Sequence, residues 1–284
     1  MVTLQQALHA ARAALAGSGS PGRDAELLLM HVCGLDRAQL ITRGGERLHP
    51  PQQAVLDELL ARRRRGEPVA YLTGRRGFWS LELSVGPGAL IPRPETEALV
   101  ERALERIPAQ RAWAVADLGT GTGAVALAIA RERPRARVLA GERATAALAL
   151  AAENARRLKA DNVSLFRGHW AAALATGSLD LLLSNPPYVA RRDPHLTRGD
   201  VRFEPREALD GGPDGLAALK HIMDQARRVL KPGGWLLLEH GHDQADALRR
   251  QLQGYGYEDI QHYRDLAGHR RVIEARCGRA PAHD

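Results

Sequence analysis

Asp180-Leu181-Leu182-Leu183-Ser184-Asn185-Pro186-Pro187-Tyr188 is an apolar run that stops abruptly at an amide, two prolines and an aromatic ring. Leu181 to Leu183 read as a buried parallel strand, because consecutive apolar residues suit a strand covered on both faces. Pro186 and Pro187 have no backbone N–H, so the ladder must end at Asn185. In an open α/β sheet ligands bind beyond the carboxyl ends of the strands, which puts Asn185 and Tyr188 where a substrate would lie. The prolines remove donors and leave carbonyl acceptors. A group bearing N–H bonds would dock against Asn185 Oδ1 and the Pro186 carbonyl, so the pocket suits a planar amide or amine.

Around this stretch, from Ala112 onward, the pattern alternates strand and helix with short connections, which argues for parallel βαβ units and a right-handed, doubly wound, Rossmann-like α/β sheet. Seven strands are predicted: Trp113 to Asp117, Arg137 to Gly141, Asn162 to Phe166, Leu179 to Ser184, Gly234 to His240, Tyr257 to Tyr263 and Arg270 to Arg276. Helices are predicted at Gly123 to Glu132, Thr145 to Lys159, Gly215 to Leu230 and Asp243 to Gln253, with Pro232-Gly233-Gly234 stopping the third.

Between the first strand and its helix lies Asp117-Leu118-Gly119-Thr120-Gly121-Thr122-Gly123-Ala124. Gly119, Gly121 and Ala124 satisfy the G-x-G-x-x-[G/A] pattern, in which glycines allow a tight turn and close approach of backbone to a ligand. Glu142, at the end of the next strand, stands where an acidic residue would hold a ribose hydroxyl pair. NAD and S-adenosylmethionine both carry the adenosine this arrangement accepts. Asp117 favours the second, since a carboxylate can accept from the methionine ammonium group but gains nothing from a pyrophosphate. Trp170, after the third strand, is placed to pack on adenine or, equally, in an ordinary core. The Asn185 turn supplies an amide pocket and no hydride-transfer machinery.

The N-terminal part is predicted to be a small helical domain, residues 1–72. Leu4, Leu8, Ala11 and Leu15 mark one helix, Asp24 to Gly34 a second, and a third begins after Pro50-Pro51 and ends near Arg65. The run Arg62-Arg63-Arg64-Arg65 reads as a solvated cationic helix end or a binding patch. His31 reads as a packed histidine, and Cys33 as a small core residue. Residues 73–92 are predicted to be a β-hairpin linker, with Leu81, Leu83 and Val85 alternating. A helix follows from Glu95 to Arg106, with Pro94 in its first turn. The methyl-donor domain would then span 93–277 and a frayed tail 278–284.

Among 284 residues the net charge is +7, and all but Lys159, Lys220 and Lys231 of the basic residues are arginines spread along the chain. That charge fits an acidic partner without naming one. No window approaches a membrane span and the N-terminus lacks the pattern of a secretion signal, so a soluble cytoplasmic protein is expected. Cys33 and Cys277 are too far apart in sequence to suggest a disulfide framework, and His240-Gly241-His242 is a weak metal signal, so no metal is expected. Spacing assigns no role to Arg93, Glu95, Glu204 or Glu239.

Asn185-Pro186-Pro187-Tyr188 resembles the N-P-P-Y signature of methyltransferases acting on planar nitrogens, either adenine N6 or glutamine N5. Three further features narrow the resemblance: Leu90-Ile91-Pro92-Arg93-Pro94-Glu95-Thr96-Glu97, the helical domain with its hairpin, and Phe203-Glu204-Pro205 followed by Ala208-Leu209-Asp210-Gly211-Gly212. Together they resemble the release factor glutamine methyltransferases, the PrmC/HemK family, over nearly the whole chain. The resemblance implies a methyltransferase sheet, S-adenosylmethionine as donor with S-adenosylhomocysteine as product, and class 1 peptide chain release factors as partners, methylated on the glutamine of their Gly-Gly-Gln motif. It implies that Asp117, Gly119, Thr120, Gly121, Thr122, Gly123, Glu142, Trp170 and Asn185 bind the cofactor. Asn185, Pro186, Pro187 and Tyr188 would hold the glutamine, with Asn185, Pro186 and Tyr188 acting in transfer. His169 stands where the family usually has an aspartate, and Gly141-Glu142-Arg143 replaces its usual strand end. Glutamine methylation of a ribosomal protein, N6-adenine methylation of nucleic acid and a noncatalytic binding module are the alternatives. No added target-recognition region or interleaved aromatic surface favours nucleic acid.

Overall fold

The structure is a computed structural model and describes residues 2–278. The predicted tail lies almost wholly outside the described residues. The chain divides into two compact units, one comprising the residues up to Arg75 together with Gly199–Phe203, the other Arg76–Arg198 and the residues from Glu204 on.

The first unit is helical: α1 (Leu4–Ala14), α2 (Pro21–Cys33), α3 (Arg37–Thr42), α4 (Pro50–Arg64) and α5 (Val69–Thr73). Its core joins Leu4, Ala7 and Ala11 of α1 to Leu28 and Leu29 of α2 and Leu56, Leu59 and Leu60 of α4. The short helices α3 and α5 were not foreseen. Helix α3 has only six residues, too few for periodicity to show, although its capping box of Asp36 and Gln39 is present. His31 is exposed near the end of α2, correcting its reading as packed, and Cys33 is half-buried against the core. The arginine run is not uniformly solvated either. Arg63 has a side chain only 9% exposed, bound to Asp24 at 2.8 Å and to Asp200 at 2.7 Å. Arg62 pairs with Glu67 at 2.5 Å.

The second unit, from Arg76 on, opens with a hairpin of β1 (Arg75–Phe78, its first residue counted with the helical unit) and β2 (Leu81–Ser84), turned at Trp79 with φ 54°. A 3₁₀ turn at Pro94–Thr96 leads into α6 (Glu97–Arg106). There follow β3 (Ala114–Leu118), α7 (Ala124–Glu132), β4 (Arg137–Glu142), α8 (Thr145–Leu158), β5 (Val163–Arg167), β6 (Leu179–Ser184), α9 (Ala217–Val229), β7 (Leu230–Glu239), α10 (Ala245–Gly254), β8 (Tyr257–Arg264) and β9 (Arg270–Cys277). The sheet order is β5-β4-β3-β6-β7-β9-β8, parallel except for β9. Leu182, Leu236 and Leu238 face a core built with Leu219, Ile222 and Met223 of α9 and Leu248 of α10.

Helix α9 stops at Val229, before Pro232 rather than at it, and β7 begins at Leu230, four residues ahead of the predicted Gly234. Leu179 pairs with Leu230 and Leu181 already with Trp235, so Lys231 to Gly234 bulge out of the ladder. The hairpin is anchored to its own unit by Asn154 of α8, which is fully buried. The Asn154 side chain accepts from Ser84 N at 2.7 Å and donates to Ser84 O at 2.9 Å and Thr122 O at 3.0 Å.

The strand order reverses between β3 and β6. From β3 the chain runs outward through β4 to β5, then returns to place β6 on the other side of β3. Leu118 is in register with Ser184, so the two strands end level. The crevice of a doubly wound sheet lies at that point.

Candidate active site

Two loops leave the adjacent ends of β3 and β6, and both line one cavity of about 700 Å³, a size usual for small-molecule sites. Gly119 to Thr122, Asp117, Glu142, Trp170, Asn185 and Pro187 are all on its wall. Gly123, Pro186 and Tyr188 are not.

The glycine loop is a bare backbone cradle. Gly119, Gly121 and Gly123 all have positive φ, at 71°, 59° and 84°. A Cβ on Gly119 would stand 3.2 Å from the Trp170 ring, so that ring lies on the loop itself. Trp170 has φ 51°, a conformation that costs a bulky residue free energy and is kept where surroundings enforce it. The next residue is pinned, with Ala171 N donating to Gln225 Oε1 at 2.8 Å. His169 precedes it on the same wall, 5.4 Å from the ring of His221.

Glu142 is bound to backbone on both oxygens. Oε2 accepts from Gly121 N at 3.0 Å, and Oε1 from Arg143 N at 2.7 Å and Ala144 N at 2.9 Å. It therefore fastens the loop to the end of β4, while Oε2 retains a lone pair. Asp117 is buried, and its Oδ2 accepts from Thr120 Oγ1 at 2.6 Å and Ala126 N at 3.2 Å. Burial pushes its carboxyl up to about 6, against these two hydrogen bonds. Gly141 leaves room for the Phe166 ring, which a Cβ would meet at 2.4 Å. The loop amides of Gly119 and Thr120 donate to the Gly141 carbonyl at 2.8 and 3.0 Å.

On the other loop, Asn185 lines the cavity and donates through Nδ2 to Thr96 Oγ1 at 3.0 Å, while among the described residues its Oδ1 accepts no hydrogen bond. Pro186 is buried, and among the described residues its carbonyl accepts no hydrogen bond. The Tyr188 ring packs on the sheet core and its hydroxyl donates to Glu239 Oε1 at 3.0 Å. Burial, then Glu239, hold that phenol well above its usual pKa.

The other motifs brace this turn. Val189 N donates to Leu209 O at 3.0 Å, Gly211 N to Val189 O at 2.8 Å and Arg191 N to Gly212 O at 2.8 Å. A Cβ on Gly211 would lie 2.7 Å from the Pro187 carbonyl and 2.8 Å from Tyr188 Cα, so only glycine permits the approach. Gln244 donates to the Tyr188 carbonyl at 2.9 Å. Glu204 accepts from Ile91 N at 3.0 Å and pairs with Arg93, which gives both residues a place. Thr96, Asn154 and Gln244 escaped sequence reasoning because their partners are tens of residues away. Thr96 alone had a signal, its place inside the Leu90-to-Glu97 motif.

A seven-stranded sheet with one antiparallel strand, a glycine cradle after its central strand and an N-P-P-Y turn beside it define a methyltransferase. The fold is shared with a methyltransferase from Pyrococcus furiosus, at a TM-score of 0.55 and 18% identity over 81% of this chain and all of that one. Residues 6–74 match the family profile described as the PrmC N-terminal domain, and residues 96–200 the methyltransferase small domain. The chain is 50% identical to the release factor glutamine methyltransferase of Salmonella typhimurium, over 97% of this chain and 98% of that protein. Identity to the Escherichia coli protein of that name is 47%, over 96% and 98%. The chain belongs to the release factor glutamine methyltransferase family. Among the described residues no helix is long and apolar enough to cross a membrane.

Proposed function

We propose that this protein transfers a methyl group from S-adenosylmethionine to the side-chain amide nitrogen of the glutamine in the Gly-Gly-Gln motif of class 1 release factors, in the cytoplasm. The observation that carries this reading is the Asn185 side chain on the cavity wall, whose amide gives an N–H to Thr96 and leaves Oδ1 without a protein donor. A carbonyl oxygen there selects an N–H donor.

The donor fits the residues present, since the positive-φ glycines offer unobstructed backbone and Trp170 lies on Gly119. Asp117, Gly119 to Gly123, Glu142 and Trp170 would hold it, and it supplies an electrophilic methyl group on a positively charged sulfur. An amide nitrogen is a weak nucleophile because its lone pair is delocalised. The protein's contribution is therefore positioning. Asn185 Oδ1 and the Pro186 carbonyl accept the two amide N–H bonds, present the nitrogen to the methyl group and favour the positive charge that develops on it. Pro187 walls the pocket and Tyr188 holds the turn rigid from behind. The amide proton becomes acidic as the bond forms, so no strong base is needed.

The test is transfer of labelled methyl to release factor, ribosomal protein and DNA in separate reactions, with the label located by mass spectrometry. Label on the Gly-Gly-Gln glutamine is expected. Label on adenine, or none on that glutamine, would overturn the proposal.

A further inference from the structure

We propose that His169 and His221 form a pair that reads the adenine edge of the cofactor, His169 accepting from its amino group and His221 donating to the ring nitrogen N1 beside it. The proposal deepens the reading above and rests on its cofactor. Across the sheet, the N-P-P-Y turn follows β6, the glycine cradle follows β3, Glu142 ends β4, and Gly168 to Trp170 follow β5. With the methyl group beside Asn185 and the ribose at Glu142, the purine falls against the segment after β5. Gly168, His169 and Trp170 line the cavity there, and His221 of α9 lines it as well. The amino group and N1 are the edge of adenine farthest from the ribose, so that edge is the one the two histidines meet.

The tautomer of His221 follows from its neighbours. Ala171 N donates to Gln225 Oε1 at 2.8 Å, which decides which end of the Gln225 amide is the oxygen. The NH₂ end lies 2.9 Å from His221 Nε2 and can only donate to it. A ring nitrogen that accepts carries no proton, so the proton of His221 is on Nδ1. The segment opposite is held too, since Arg228 donates to Ala171 O at 2.8 Å and to Leu174 O at 2.7 Å. The His169 imidazole makes no hydrogen bond among the described residues, and its ring lies 5.4 Å from that of His221 and 5.8 Å from that of Trp170. One locked N–H and one unengaged imidazole therefore stand side by side. Adenine offers the complement, an N–H on the amino group and a lone pair on N1. Hypoxanthine has a carbonyl and an N1–H instead. His169 can turn either nitrogen to the purine, but His221 cannot, so His221 is the residue that rejects hypoxanthine.

His169 is faced by His221 from α9 and by Arg143 after β4, with Arg167 at the end of its own strand donating to Arg143 O at 3.4 Å. Glu142, whose carbonyl accepts from Gly168 N at 3.0 Å, turns its carboxylate to the amides of Gly121, Arg143 and Ala144. Burial, then His221 and Arg143, hold the His169 imidazole below the usual histidine range. Protonation would replace its acceptor by a second N–H facing the amino group. The cofactor therefore binds the neutral imidazole, and affinity falls as pH falls through its titration.

Calorimetry with S-adenosylhomocysteine and S-inosylhomocysteine, on wild type, His169→Ala, His169→Asp and His221→Ala, tests the pair without any methyl transfer. Wild type should prefer the adenosyl ligand by about 10²-fold or more, and His221→Ala by about tenfold or less. His169→Ala should bind the adenosyl ligand about fivefold more weakly, while His169→Asp, which keeps an acceptor, should stay within about threefold of wild type. Both side chains are exposed, so Tm should not move. In wild type the NMR titration of His169 should shift to lower pH when 5′-methylthioadenosine is bound, a probe without the ammonium group that Asp117 would meet. Equal affinity for the two ligands in wild type, an undiminished preference in His221→Ala, or a His169 titration unmoved by the bound probe would each overturn the proposal. Wild type that shows the preference yet leaves the glutamine unlabelled overturns the reading above and not this one. Failure of wild type to bind the adenosyl ligand overturns both.

Discussion

Asn185 commits one rotatable group to recognition, because a half-turn of its amide exchanges an acceptor for a donor. Asn185→Ala removes the acceptor and one hydrogen bond to Thr96, so stability should fall by only about 1 kcal/mol, while transfer should drop by about 10²–10³-fold. Parallel thermal melts and single-turnover assays check both halves. Asp117 gives a pH prediction. Its folded pKa of about 6 lies above the ordinary 3.8, so ionisation costs the folded state more than the unfolded chain. The stability held by the neutral form is complete below about pH 4 and is lost as pH rises through about 6, amounting to roughly 3 kcal/mol. Asp117→Asn should accordingly gain in Tm over wild type as pH rises from about 4 to about 7, and a pH-independent difference would contradict this.

At the scale of elements, the strands were legible because apolar runs and terminators are local: Leu179–Ser184 falls where its sequence puts it, and the other strands shift by a residue or a few at their ends. The early start of β7 was hidden, since a bulge at Lys231 to Gly234 reads as a turn. The hairpin was visible, but its attachment was not, because Asn154 lies some seventy residues beyond Ser84 and looks like any polar residue of a helix. Asn154→Ala should strip two bonds from the backbone of a buried hairpin edge and cost about 2–3 kcal/mol, measurable by denaturant unfolding. The site was legible as its two motifs. Their supports at Thr96, Gln244 and Glu239 depend on tertiary contacts that no spacing encodes. Gly211→Ala would push a methyl group against backbone that cannot yield, so it should lower Tm and turnover together, by about 1–3 kcal/mol in stability.

For the whole molecule, the helical unit is discontinuous in sequence, since Gly199–Phe203 belongs with the residues up to Arg75. The sequence carries no local mark of this; Asp200 is one acidic residue in an irregular stretch. Arg63→Ala should leave Asp24, whose carboxyl is 7% exposed, without its cation and destabilise the helical unit by about 3–5 kcal/mol. Hydrogen exchange should report lost protection in α2 and α4. The same discontinuity governs how the chain can be recombined. A chimaera made by one crossover near Arg75 would take Asp24 and Arg63 from one parent and Asp200 from the other. Flanking the five residues Gly199–Phe203 with two further crossovers would keep the trio together. The helical unit and that distant segment are therefore a single heritable block, and variation in one should be matched in the other.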